Sequence, residues 1–372
     1  MSARTLHLFN PENDLALGLD CIHYTPPPHA SALHRAGGLL PAWWASEGDA
    51  VLVADHSYMA DAEWLSANWG LKCRPLTTAT DEYLPSPWGW SLDAARQFAD
   101  AGLPRHSLPS PATLAHYRQV SHRRSSIAIL RALGFDDSDL PREFTDPDEA
   151  VRAELSSPGS YFKSPWSCSG RGVFCARGLS PHALRDRLRG IIHRQGSVLA
   201  EPGLNRLLDL AALFHADSSG AVTYRGLSIF TTDPSGNYGG NIVAPQETLR
   251  EIIGSHGLLD SYDNLCRQLP SILADLTGGY SGWMGVDMLI HRDSASRPAL
   301  HPCVELNLRS TMGMTAMAIA DATGFTSPRL LAWQLSGKAE PGLLLLPPRS
   351  GFTLSLLPLS GSVSRYLSNN HL

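Results

Sequence analysis

Three polar side chains stand at alternating positions in HPCVELNLRSTMG: Glu305, Asn307 and Arg309. The run reads as a β-strand entering a Gly-containing turn, and strand side chains alternate faces, so all three are expected on one side. A carboxylate beside an amide oxygen is a hard donor pair suited to Mg²⁺, which takes few protein ligands and keeps its other positions for phosphates and water. The guanidinium next along would meet the same anion. Upstream, GWMGVDMLIHRD is a second strand-like run carrying Asp287, and the polar turn HRDSASRP joins the two as a hairpin. Pairing is expected to bring Asp287 beside Glu305 and Asn307, giving two carboxylates and an amide around one or two cations, Mg²⁺ with Mn²⁺ as the alternative ion. In outline this is a metal–nucleotide site.

A second group of candidates lies in YFKSPWSCSGRGVFCARG. Lys163 closes one strand, a loop from Ser167 to Gly172 follows, and VFCA resumes as another strand. The small residues of that loop, Ser167, Ser169, Gly170 and Gly172 around Arg171, let backbone N–H groups turn inward as an anion nest. The loop lacks dinucleotide spacing, and the chain carries no G-x-x-x-x-G-K-[ST] run.

Taken in order, these pieces resemble the ATP-grasp superfamily, over roughly residues 118 to 320. Its members carry a Lys at a strand end, a Gly-rich loop over the phosphates and a late Glu-x-Asn metal pair. The Ser-Gly-Arg-Gly loop and the Glu-x-Asn-x-Arg run look most like the biotin carboxylase and carbamoyl phosphate synthetase branches. The resemblance implies an ATP-grasp fold of two α+β lobes enclosing ATP. It sets Arg123 where the family has a phosphate-reaching Lys, Glu201 at the hinge acid, and Asp209 at the ribose. It puts Asn237 and Asn241, in the polar stretch TTDPSGNYGGNIVAP, near phosphates and second substrate; a loop alone explains them as well. Arg for Lys at 123 exchanges a point charge for a planar fork, and Pro202 is atypical beside a hinge. Lys163, Arg171 and Arg309 would be catalytic, stabilising the phosphoryl group as it passes to a carboxylate. The implied reaction is ATP-dependent ligation of a carboxylate, through an acyl phosphate, to an amine or other nucleophile. A small-molecule kinase and a non-catalytic nucleotide-binding protein are the alternatives.

The elements that must position these groups follow an α/β alternation. TLHLF reads as a buried strand stopping at Asn10-Pro11, with Asn13 or Asp14 capping a short helix after it. Ligands of open α/β sheets bind beyond strand carboxyl ends, so Asn10, Glu12 and Asn13 are substrate candidates, and turn and cap roles account for them equally. AVLVAD, a helix DAEWLSANWG and a third short strand or loop complete a Rossmann-like domain over residues 1–110, which ATP-grasp proteins commonly carry. A helix capped by Ser121 and stopped at Gly134 is expected next. A small lobe then spans 111–196, a large lobe with the metal site 197–345, and a C-terminal extension 346–372. His301 and Cys303 share the face of Glu305 on a regular strand, yet three same-face ligands would crowd one zinc ion, and a strand-entry His with a core Cys is the better account.

With 372 residues, 43% hydrophobic content and a net charge of −5, the chain supports ordinary packed cores and offers no broad basic field. Nucleic acid and anionic membrane surfaces are therefore not expected partners. The six cysteines show no Cys-x-x-Cys pair and read as free thiols of a reducing compartment. LLLLPP, the longest apolar run, is far short of a membrane helix, so a cytoplasmic enzyme is expected, with a homodimer as the default assembly.

Overall fold

The computed structural model describes residues 4–359 apart from Ser169, Arg171, Pro234 and Ser235. Among the described residues the strands form three sheets. The first is built from β1 (Arg4–Leu8), β2 (Ala50–Leu52), β3 (Pro75–Leu76) and β4 (Tyr83–Pro87), in the order β3-β2-β1-β4. Its pairings are all parallel, as the buried apolar runs of these strands require. This is the Rossmann-like sheet expected of the N-terminal segment.

The second sheet joins β5 (Arg142–Phe144), β6 (Ser160–Lys163), β7 (Val173–Cys175) and β8 (Val198–Pro202) in the order β5-β8-β6-β7. Phe162 and Phe174 stack across it at 5.7 Å between ring centroids. Two helices cover one face: Pro147–Ser156, where the Asp146 side chain accepts from Asp148 N–H, and Pro181–Gln195, which Ser180 caps and Gly196 stops at φ +86°. Sequence position and sheet membership part company here. β8 lies beyond residue 196, yet it pairs with β5 and β6 and completes the small sheet.

The third sheet is large and antiparallel, from β9 (Asn205–Ala216), β10 (Val222–Thr232), β11 (Tyr238–Val243), β12 (Gly282–Arg292), β13 (Pro298–Asn307), β14 (Arg329–Leu335), β15 (Leu343–Leu344) and β16 (Phe352–Pro358). Its order is β13-β12-β9-β10-β11-β14-β16-β15, so the segment after 346 supplies an interior strand. Adjacent residues go to opposite faces: Ala212 and Phe214 join a core with helices Gln246–Ser255 and Leu259–Thr277, while Leu213 joins helix Met312–Thr323. That second core also holds Phe9, Trp43, Val51 and Tyr58, so it welds the N-terminal domain to the large sheet.

Two local expectations about helix starts differ from the structure. The helix expected from Ser121 to Gly134 begins only at Ser125 and spans Ser125–Ala132; Ser121 closes the preceding helix, Pro111–Val120 capped by Ser110, and Arg123 lies in the turn between them. Ser125 Oγ donates to Val120 O at 2.6 Å and holds that turn. Helix Asn13–Leu19 has Glu12 at its N-cap with no side-chain cap bond, because Glu12 faces His34 and Asp14 faces Arg309.

Candidate active site

A cleft of about 600 Å³ opens between the small and large sheets, and Arg123, Lys163, Glu201, Asp209, Asp287, Glu305, Asn307 and Arg309 all line it. The hairpin β12–β13 sets Asp287 opposite Glu305 and Gly285 opposite Asn307, the register expected from the sequence. The strand is not regular, however. The next pair is Leu289 with His301, so one residue of β12 faces three of β13, a bulge. The bulge sends Cys303 into the core at 1% exposure, while Val304 joins Glu305 and His301 on the cleft wall. A shared face for His301, Cys303 and Glu305 is thereby overturned. Arg309 lies past the strand end at Asn307 but still reaches the cleft.

Burial, and then the charge of Glu305, push the Asp287 carboxyl up to about 7, against the opposing hydrogen bond from Asn307 and the charges of Arg309 and Arg123. Two acids held face to face in a partly dehydrated wall repel each other, and Arg123 beside Glu305 offsets only part of that charge; a divalent cation would offset the rest. Among the described residues no three His, Cys, Asp or Glu converge on a point. The donor set is thus two carboxylates and an amide oxygen, a set that fits Mg²⁺ and leaves room for phosphate.

Among the described residues the cations of the cleft are all engaged. Lys163 Nζ donates to Glu201 Oε2 between adjacent strands β6 and β8, and Glu201 Oε1 is buried without a partner. Arg123, 4% exposed, donates through Nε to Ser164 O at 3.1 Å and through Nη2 to Ser167 Oγ at 3.0 Å, with Glu305 Oε1 2.9 Å from Nη2. Arg309 donates from Nε to Asp14 Oδ2 at 2.8 Å and from Nη2 to Asn307 Oδ1 at 2.7 Å. Burial holds the His301 imidazole down to about 4, so it is neutral on the cleft wall, its Nδ1 unpartnered.

The loop candidates divide. Ser167 and Gly170 line the cleft. Gly170 sits at φ +77°, and a Cβ there would stand 2.1 Å from Gly236 O, so only glycine permits this approach of the two loops. Gly172 is likewise closed in, with Ser167 Cβ 2.4 Å from a built Cβ. Ser169 and Arg171 lie outside the described residues. Asp209 accepts from Thr232 Oγ1 at 2.7 Å and pairs with Arg206 at 3.3 Å. Asn241, 1% exposed, reaches the cleft and donates to Ser228 Oγ at 2.7 Å. Asn237 instead turns back on its own loop, donating from Nδ2 to Asp233 Oδ2 at 2.8 Å.

Asn10, Glu12 and Asn13 do not line this cleft. They are buried behind it, where Asn10 Nδ2 donates to Gly89 O at 2.9 Å. Sequence reasoning missed Asp14, the acid that holds Arg309; the only signal was a charged residue among polar cap candidates in NPEND. It also missed Arg206, His301 as a cleft residue, and Thr311 with Met312 and Gly313 at the start of helix Met312–Thr323.

No family model matches the chain, and no curated protein matches it. Solved structures do. Its fold is similar to N5-carboxyaminoimidazole synthetase from Staphylococcus aureus, complexed with ADP, at TM-score 0.53 and 11% identity over 98% of this chain and 95% of that one. It is similar to Rhizobium etli pyruvate carboxylase at TM-score 0.50 and 12% identity, over 96% of this chain and 35% of that much longer one. Both are ATP-grasp enzymes. A parallel N-terminal sheet, a small antiparallel sheet and a large antiparallel sheet around one cleft, in this chain order, are the ATP-grasp fold.

Proposed function

We propose that the protein is an ATP-dependent ligase that activates a carboxylate as an acyl phosphate and joins it to an amine or other nucleophile. The supporting observation is the convergence on one cleft of Asp287, Glu305 and Asn307 with Lys163, Arg123 and Arg309. When bound at the two carboxylates, Mg²⁺ or Mn²⁺ supplies charge neutralisation at the phosphate oxygens of ATP. The chain's own groups do the rest. Arg123 and Lys163 exchange their carboxylate partners for phosphate oxygens, with Ser167 and Gly170 beside them on the cleft wall. Glu201 holds Lys163 until then, and Asp209 faces the sugar end. Arg309, aimed by Asp14, stabilises the group in transfer, and Asn241 with its Ser228 partner shapes the opposite wall. Closure of the two lobes excludes water, without which an acyl phosphate hydrolyses.

The same reading divides the chain into a Rossmann-like N-terminal domain, a small lobe extended through β8, and a large lobe that includes β16. It takes the enzyme as cytoplasmic and as a homodimer, the second of which light scattering tests. Among the described residues no helix is long and apolar enough to cross a membrane. The deciding experiment is a thermal shift with and without MgATP beside Glu305→Gln. Ligand at 100 times its Kd adds ~2.7 kcal/mol, several degrees of Tm. A shift that needs the metal and disappears in the variant supports the site; no shift in the wild type overturns it. Product mass then separates ligation from a kinase reaction, because a stable phosphorylated product belongs only to the latter.

A further inference from the structure

Two polar atoms on the cleft wall stand apart from the metal and phosphate groups. Glu201 Oε1 and His301 Nδ1 are buried and, among the described residues, lack a hydrogen-bond partner, and both residues line the cleft. Buried polar groups are nearly always satisfied, and these two are of complementary kinds, a carboxylate oxygen and an imidazole nitrogen. Their residues come from different sheets. Glu201 lies on β8 of the small sheet and His301 on β13 of the large one, where the bulge leaves the imidazole on the cleft wall while Cys303 goes to the core. Phe135 backs the ring at 6.3 Å between centroids.

The charges that bear on the His301 ring come from three strands. Glu201 on β8 draws a proton to it, whereas Lys163 on β6 and His291 on β12 oppose one. Burial is the largest influence and holds the imidazole down to about 4, against its ordinary 6.5. Glu201 is meanwhile neutralised, since its Oε2 takes Lys163 Nζ and the two side chains are only 15% and 7% exposed. The arrival of phosphate upsets that balance. When Lys163 leaves Glu201 for a phosphate oxygen, a buried carboxylate loses its countercharge, which is strongly unfavourable. Lys163, answered by phosphate, also ceases to repel a proton from the ring. Both changes raise the proton affinity of His301, and imidazole is the side chain whose ordinary titration lies nearest neutrality.

We infer that His301 takes up a proton from solvent when the nucleotide binds and, as an imidazolium, replaces Lys163 as the countercharge of Glu201. This rests on the ligase reading, which makes the cleft a nucleotide site, and adds that nucleotide affinity is linked to pH through a residue outside the metal and phosphate groups. One proton passes from water to the ring, and no other covalent bond changes. The test is titration calorimetry of the full chain with MgATP, in buffers of different ionisation enthalpy across about pH 5–8, which counts the protons exchanged per nucleotide. Asp287 exchanges protons with the metal in either chain, so the count is compared between the wild type and His301→Phe, which keeps a ring against Phe135. The wild type takes up more protons than the variant, by at most about one per nucleotide, and its affinity falls more steeply with rising pH by the same number. Glu201→Gln removes the difference, because no carboxylate then needs the imidazolium. Equal proton counts in wild type and His301→Phe, both binding MgATP, overturn the inference alone. Should His301→Phe not bind, His301→Gln, polar but not titrating, takes its place. The ring is also read directly by NMR of isotope-labelled histidine in the wild type, with the His301 signal assigned by its absence from the variant. An imidazole that stays neutral across that range in the MgATP complex overturns the inference too. A wild type that does not bind MgATP refutes the ligase reading, and this inference with it.

Discussion

The two ends of the cleft handle charge in opposite ways. On the small sheet, Lys163 and Glu201 come from neighbouring strands and neutralise each other. On the large sheet, Asp287 and Glu305 face each other across a hairpin as like charges, and Asp287 holds its proton up to about 7. A self-neutralised end keeps its cation in place until an anion competes for it; an end of like charges waits for a cation. Arg123 spans the difference, reaching Glu305 at 2.9 Å from the turn before helix Ser125–Ala132.

The comparison can be broken most sharply at Glu305. On the proposed function, Glu305→Gln is expected to lower ADP formation by ~10³-fold while circular dichroism is unchanged, because it would remove the proposed metal ligand and its charge together; unaltered turnover in a folded variant would sink the assignment. Next comes Lys163→Met, which leaves Glu201 buried and uncompensated and should cost ~3 kcal/mol in urea unfolding. The double variant Lys163→Met/Glu201→Leu should regain most of that stability without regaining activity. A single variant as stable as wild type would mean the pair is solvated.

Asp287→Asn probes the other end with the opposite sign. The folded pKa of about 7 lies above the ordinary 3.8, so the wild type loses stability as pH rises from about 4 to about 7. Without divalent ions, the variant should be the more stable protein above pH 7 by roughly 1–3 kcal/mol, the difference vanishing below about pH 4. Mg²⁺ should stabilise only the wild type, and more at pH 8 than at pH 6. The smallest expected effect is Asp14→Asn, which keeps one acceptor for Arg309 and should lower kcat about tenfold, with little change in the thermal shift given by MgATP. An equal loss of nucleotide binding would mean that Asp14 acts on the ground state.

Much of the large-sheet end was legible because its chemistry is local. Asp287, Glu305 and Asn307 belong to one hairpin, and strand periodicity alone predicts their common face. The bulge between His301 and Glu305 was not legible, since an extra pair of residues leaves no mark in the alternation of HPCVE and only the pairing of His301 with Leu289 reveals it. The Lys163 strand and Ser/Gly loop were read correctly as strand and loop, while the membership of β8 in the small sheet depends on pairing across long separations. Asn10, Glu12 and Asn13 were legible as a polar cluster at a strand end, but their place behind the cleft depends on Gly89 and Ser310, which no local pattern connects to them. Ser121 was misjudged because a Ser that ends one helix and a Ser that begins the next look alike in sequence.

The bond between Asp14 and Arg309 joins residues 295 apart. The indole N–H groups of Trp43 and Trp69 likewise donate to Leu345 O and Leu344 O, at 3.3 and 2.9 Å. During synthesis at about 5–20 residues per second, Asp14, Trp43 and Trp69 leave the ribosome roughly 15–60 s before the strands that cover these tryptophans and the arginine that answers the aspartate. For that interval the nascent chain carries an uncovered aromatic face, and a product truncated before β13 lacks the cleft wall that carries Glu305 and Asn307.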